Sequence, residues 1–173
     1  MQKYRAVDLA LLGVASIISG LIFAATWFVY EVSLAIGGIY LSRLISYGLW
    51  FIGAPLTASL IRKPLSGFLG EFLGALVETL IPTIGGFTNL IYGFAQGLAS
   101  EAAYAIFKYK KYGALQAALA GVFAAPPCVA LDAILFREIY PYPVMLILLI
   151  AAATSGAIYG LVSYYAVKSI KGE

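Results

Sequence analysis

Apolar runs of about twenty residues, each long enough to cross a hydrocarbon core of roughly 30 Å, recur six times along this chain. In hydrocarbon every backbone amide must find a partner within the protein, so only helical bundles and closed barrels can span. Barrel strands alternate apolar and polar residues over about ten positions, whereas these runs stay apolar for about twice that length. The sequence therefore predicts an all-α integral membrane protein, a six-transmembrane-helix bundle. Its helices are expected at about 6–28, 44–61, 64–80, 88–107, 113–136 and 144–167, with residues 1–173 forming a single transmembrane domain. A hydrophobic share of 62% fits this class, since soluble domains hold roughly 45–50% apolar residues. Lys3 and Arg5 precede a first run that is too long for a signal-peptide core and continues into Trp27 and Phe28, so it is read as a retained helix.

Six spans divide the basic residues unevenly. Lys3, Arg5, Arg62, Lys63, Lys108, Lys110, Lys111, Lys168 and Lys171 fall on one side, and only Arg43 and Arg137 on the other. Excess Lys and Arg marks the cytoplasmic side, so both termini are expected there, in the cell membrane. The net charge of +3 is then a topology signal. No basic patch is interleaved with exposed aromatics, and no nucleic-acid partner is expected.

Several chemistries are excluded. The chain has no His and a single cysteine, Cys128, so an intrachain disulfide, a His-based metal site and a Ser/His/Asp or Cys/His arrangement have no residues to build them. No catalytic residue, cofactor or metal is expected. No Gly-x-x-x-x-Gly-Lys-Ser/Thr loop is present, so ATP chemistry would belong to partner subunits.

Charged residues make up 11% of the chain, yet Glu71, Glu78 and Glu101 lie inside apolar segments. Burying such groups is expensive, and they are expected to face a shared interior. Ser66, Gly70, Gly74 and Glu78 follow a four-residue step, as do Gly93, Gly97 and Glu101 with Gln96 beside them. Two antiparallel helices are expected to meet through these small residues. Ala6, Ala10, Gly13, Ser16, Gly20 and Ala24 form a similar stripe on helix one, open to packing inside the bundle or against a partner. Residues 29–43, with Glu31, Gly37-Gly38 and Arg43, are read as a connection that acts as a lid. Pro55 falls in the middle of helix two. Pro126-Pro127 are expected to break or kink helix five just before Asp132.

With both termini inside, Glu78, Trp27, Tyr47, Trp50, Asn89, Tyr92 and Asp132 belong to outer helix halves, with Gln96 at mid-depth and Glu71 and Glu101 deeper. Together they suit an outward-opening pocket for a flat, donor-rich or cationic heterocycle, held by stacking, cation–π contact and hydrogen bonds. Other roles stay open at this point. Outer Trp and Tyr also serve as interfacial belts, and Glu71 and Glu101 also suit structural hydrogen bonds. A chain of carboxylates also suits a stand-alone proton-coupled carrier, and a non-transporting membrane scaffold remains a third reading.

Tyr47-Gly48-Leu49-Trp50-Phe51-Ile52, Ile61-Arg62-Lys63-Pro64 followed by Glu71 and Ala75-Leu76-Val77-Glu78, and Gly93, Gln96-Gly97-Leu98-Ala99 and Glu101-Ala102 with a basic end to helix four carry a resemblance. They resemble the YkoE family, substrate-binding S components of energy-coupling factor (ECF) transporters associated with thiamine or its hydroxymethylpyrimidine precursor. The resemblance implies a subunit that captures the vitamin outside the cell. A transmembrane coupling subunit and two ATPase subunits would then drive its reorientation within the lipid bilayer. It implies substrate contacts on Tyr47, Trp50, Glu78 and Gln96, with Glu71, Glu101 and Asp132 as further candidates. It also implies a small-x-x-x-small face on helix one against the coupling subunit, for which Ala6 and Ala10 match the spacing and Ala15 with Ser19 offers a second register.

Overall fold

The computed structural model describes residues 3–172. The chain is helical throughout: α1 (Ala6–Trp50), α2 (Gly53–Ile61), α3 (Ser66–Thr79), α4 (Thr88–Ala105), α5 (Ala114–Leu135) and α6 (Tyr142–Lys171). Among the described residues, Ala6–Ile61, Ala114–Leu135 and Tyr142–Lys171 are long and apolar enough to cross a membrane, which makes this a multi-pass membrane protein. The 56-residue first stretch is long enough for two crossings. At 14 residues, α3 rises only roughly 21 Å and is shorter than the 64–80 expected of it.

The largest departure lies at residues 29–43. No lid-like connection forms there; α1 continues helically to a break at Gly37 and Gly38, then resumes to Trp50. Gly38 has φ 69° and ψ −169°, a conformation that only glycine adopts without strain. The segment before it contains no helix breaker, so polarity at Glu31 did not end the helix. A second break follows at Phe51 and Ile52, and it places Pro55 in the first turn of α2 instead of mid-helix. A first-turn residue has no intrahelical use for its N–H, so proline is tolerated there. Pro126 and Pro127 do not interrupt α5, which runs through them. Packing against α6 holds both sides of the pair, a setting in which membrane helices tolerate proline.

Close packing depends on small residues. A Cβ added to Gly121 would lie 2.0 Å from the Gly156 carbonyl oxygen, and one on Gly160 would lie 2.2 Å from that of Ala117. The backbones of α5 and α6 are therefore in contact. Gly156→Val is expected to lower stability by about 1–3 kcal/mol through overpacking, read as a lower unfolding temperature of the detergent-solubilised protein. An unchanged temperature would show that α6 can shift freely.

The glycines of α4 meet α3 as expected, Gly93 against Ala75 and Gly97 against Phe68. Those of α3 turn elsewhere. Gly70 packs on Thr57 of α2, and Gly74 on Phe23 and Ser19 of α1, so the α3 stripe carries Glu78 toward α1 and not toward α4. The helix-one stripe also divides. Ser16 and Gly20 are buried, Gly20 against Val77 and Gly74, while Ala6, Ala10 and Gly13 are exposed. Ala15 and Ser19, the second register, point into the bundle. At the same end Lys63 pairs with Asp8 at 2.5 Å, and the Tyr4 hydroxyl donates to the Pro64 carbonyl at 2.9 Å.

Candidate ligand-binding site

A cavity of about 330 Å³ opens at the end of the bundle away from the α2–α3 and α4–α5 turns, between α1, α3, α4 and α5. Of the sequence candidates, Tyr47, Trp50, Glu71, Glu78, Asn89, Tyr92, Gln96 and Asp132 line it. Glu101 does not. It sits at the opposite end of α4, where its two carboxylate oxygens accept the N–H groups of Leu65 (2.7 Å) and Phe68 (2.8 Å). Those are orphan donors of the first turn of α3, so Glu101 caps that helix from its neighbour.

The other carboxylates can be assigned in the same way. Glu71 is fully buried, and one oxygen accepts the Ala54 N–H at 2.8 Å. The break at Phe51–Ile52 leaves the α2 N-terminus inside the bundle, where water cannot satisfy it, and Glu71 supplies the missing acceptor. Its second oxygen has no hydrogen-bond partner among the described residues. Glu78 accepts the Trp27 indole N–H at 2.9 Å. Gln96 is 3% exposed and lies against the Cys128 thiol. Asn89 reaches the Thr83 hydroxyl at 3.1 Å and so steadies the α3–α4 turn.

Asp132 belongs to a buried ion network. One oxygen accepts Arg43 Nη1 (3.0 Å) and the Tyr47 hydroxyl (2.9 Å), and the other accepts the Tyr92 hydroxyl at 2.7 Å. Arg43 is completely buried, pairs also with Glu138, and lies 4.7 Å over the Tyr47 ring. Charges held this closely are compensated, so Asp132 acts chiefly as the anchor for two cavity-wall tyrosines.

Aromatic rings form the remaining wall. Trp27 and Trp50 meet edge to face with centroids 5.0 Å apart, and Tyr30 lies 5.9 Å from Trp50 and 6.3 Å from Tyr47. The Trp50 indole donates to the Phe23 carbonyl at 3.1 Å, fixing its plane. The cavity thus offers fixed ring faces beside the carboxylate of Glu78, the carboxamide of Gln96 and, in its wall, Glu71. Such a set can stack on a flat ring and accept hydrogen bonds from its edge.

Residues 7–126 match a family of permease components described as "ABC-type cobalt transport system, permease component". The chain belongs to that family. Within and beyond it, similarity extends to the "Putative HMP/thiamine permease protein YkoE" of Bacillus subtilis (strain 168), 28% identical over 160 residues that cover 91% of this chain and 79% of that protein. A solved structure described as an S-component of an ECF transporter superposes with a TM-score of 0.90 at 26% identity, covering 97% of this chain and 86% of the other. The fold is therefore that of an ECF S component, and the resemblance to the YkoE family read from Tyr47 to Ala102 is borne out. Among the described residues of this permease component, no group of three or more His, Cys, Asp or Glu is placed to hold a metal ion.

Phe23, Tyr30, Glu31 and Leu34 also line the cavity and were not expected to. With Trp27 they recur at helical spacing, so the signal was present in the sequence. For Tyr30, Glu31 and Leu34 it went unread because helix one was ended at Phe28. Glu138 and Arg43 carried no local signal, since Arg43 meets partners 89 and 95 residues away.

Proposed function

We propose that this permease component is the substrate-binding S component of an ECF-type importer and captures thiamine or its hydroxymethylpyrimidine precursor from outside the cell. The observation that carries this is the aromatic box of Trp27, Tyr30, Tyr47 and Trp50 set beside Glu78, Gln96 and Glu71 in the cavity wall. An aminopyrimidine has a stackable face and an edge bearing an exocyclic amine, which these acceptors complement. The volume sits at the small end of the roughly 300–1,000 Å³ range of ligand pockets. The cobalt of the family description has less support here, because the chain lacks His and its one cysteine is buried.

The rest of the proposal concerns assembly. The chain forms a single six-span bundle with both termini cytoplasmic, as the nine-to-two distribution of basic residues supports. A transmembrane coupling subunit docks on the exposed face of Ala6 and Ala10, and two ATPase subunits supply the energy. A stand-alone proton carrier has less to rest on, because Glu71 and Glu101 serve as helix caps and Asp132 is paired with Arg43.

Both tryptophans of the chain line the cavity, so ligand binding should quench intrinsic fluorescence directly. Titration of the solubilised protein is expected to show saturable quenching by thiamine, hydroxymethylpyrimidine or both. Glu78→Gln and Gln96→Ala are each expected to weaken binding by roughly tenfold to a hundredfold, the equivalent of about 1–3 kcal/mol. Absence of quenching and of binding heat with both compounds would remove the vitamin assignment. Unchanged affinity in both variants would remove those two residues from the site.

A further inference from the structure

The cavity mouth is closed on one side and open on another. Toward the α5–α6 connection, Arg43 ties α1 to Asp132 and Glu138. Toward the α3–α4 turn, no hydrogen bond or ion pair among the described residues joins 82–84 to the 24–36 stretch of α1; the turn bonds within itself, through Thr79 to Gly86, Thr88 to Gly85 and Asn89 to Thr83. A shallow recess occupies that gap, lined by Phe28, Pro82 and Thr83, and it shares Trp27, Glu31 and Ile84 with the cavity itself. Glu31 is exposed and has no hydrogen-bond or ion-pair partner among the described residues. The other cavity acids differ in this respect. Asp132 and Glu138 share Arg43, Glu71 holds the α2 N-terminus, and Glu78 holds Trp27.

We propose that the recess between α1 and the α3–α4 turn is the entrance to the site, and that Glu31 is its capture residue, attracting cationic ligands to the mouth before they pass Trp27 into the aromatic box. The assignment rests on the proposed vitamin function, since it requires a cationic ligand for the cavity. An unpaired carboxylate at a cleft mouth raises the local concentration of a cation and so acts on association; a group that contacts the bound ligand acts chiefly on dissociation. Glu31 lies one helical turn beyond Trp27 on the same face of α1, so a cation drawn to it is already beside the first ring of the box.

Stopped-flow quenching of Trp27 and Trp50 separates the two effects, with thiamine as the cationic probe and hydroxymethylpyrimidine as the neutral one. Glu31→Gln is expected to lower the association rate of thiamine by about three- to tenfold at low ionic strength and to flatten its salt dependence. The dissociation rate should stay within about twofold, and neither rate should change for the neutral probe. Because Glu31 is exposed, the variant is expected to unfold at the wild-type temperature. An unchanged association rate for thiamine would overturn the capture role, as would an equal slowing of both probes or a change confined to dissociation. If wild-type protein is quenched by neither probe, the vitamin function falls and this role with it; quenching with unaltered association kinetics in Glu31→Gln removes the capture role alone.

Discussion

Arg43→Met is expected to lower the stability of the solubilised protein by about 3–5 kcal/mol, the largest effect of any single substitution considered for this chain. The guanidinium has no exposed surface, and two carboxylates depend on it. Methionine fills much of the volume but leaves Asp132 and Glu138 without their cation in a low-dielectric interior. The unfolding temperature should fall by roughly 10 °C or more, and ligand affinity should fall too, because Asp132 would no longer hold the Tyr47 and Tyr92 hydroxyls in place. The cause can be isolated. Combining Arg43→Met with Asp132→Asn and Glu138→Gln removes the unpaired charges along with the arginine, and the triple variant should regain at least half of the lost stability. A wild-type unfolding temperature in Arg43→Met would show that the two acids find other partners or take up protons at little cost.

The same residue shows where sequence reasoning reaches its limit. Arg43 was expected in a connection and is instead buried within α1. Its partners stand on α5 and the α5–α6 connection, and no local periodicity points across that distance. By contrast, the limits of α3, α4 and α5 and the polar lining at Glu71, Glu78, Gln96 and Asp132 were legible, because both follow from local rules. Long apolar runs set the helices, and rare polar groups on helical spacing set the lining. The α3 stripe lies between these cases. Its spacing correctly marked a close-packed face, but spacing cannot name the neighbour, and Gly70 and Gly74 meet α2 and α1 where α4 was expected. Gly37-Gly38 was read as the centre of a loop when it is a two-residue break within helical flanks. The glycines signalled the backbone irregularity but not how short it is.

Glu101 and Glu71 were indistinguishable in the sequence, two acids in apolar helices, and the structure gives them testably different duties. Both cap a neighbouring helix, α3 for Glu101 and α2 for Glu71, but only Glu71 reaches the cavity. Glu101→Ala leaves the Leu65 and Phe68 amides without their acceptor, and each lost charge-assisted bond is worth about 1–2 kcal/mol after partial resolvation of the half-exposed turn. A total loss of about 2–4 kcal/mol is expected, with ligand affinity held within about twofold because the cavity wall is untouched. Glu101→Gln keeps one acceptor oxygen for two donors and should retain about half of the stability. Glu71→Ala should differ in kind, losing comparable stability at the α2 N-terminus and, in addition, at least tenfold in affinity, because Glu71 also lines the cavity. Thermal unfolding and fluorescence titration on the same three preparations give both readouts. Weakened binding in Glu101→Ala with an unchanged unfolding temperature would place Glu101 in ligand handling, and unchanged affinity in Glu71→Ala would confine Glu71 to capping.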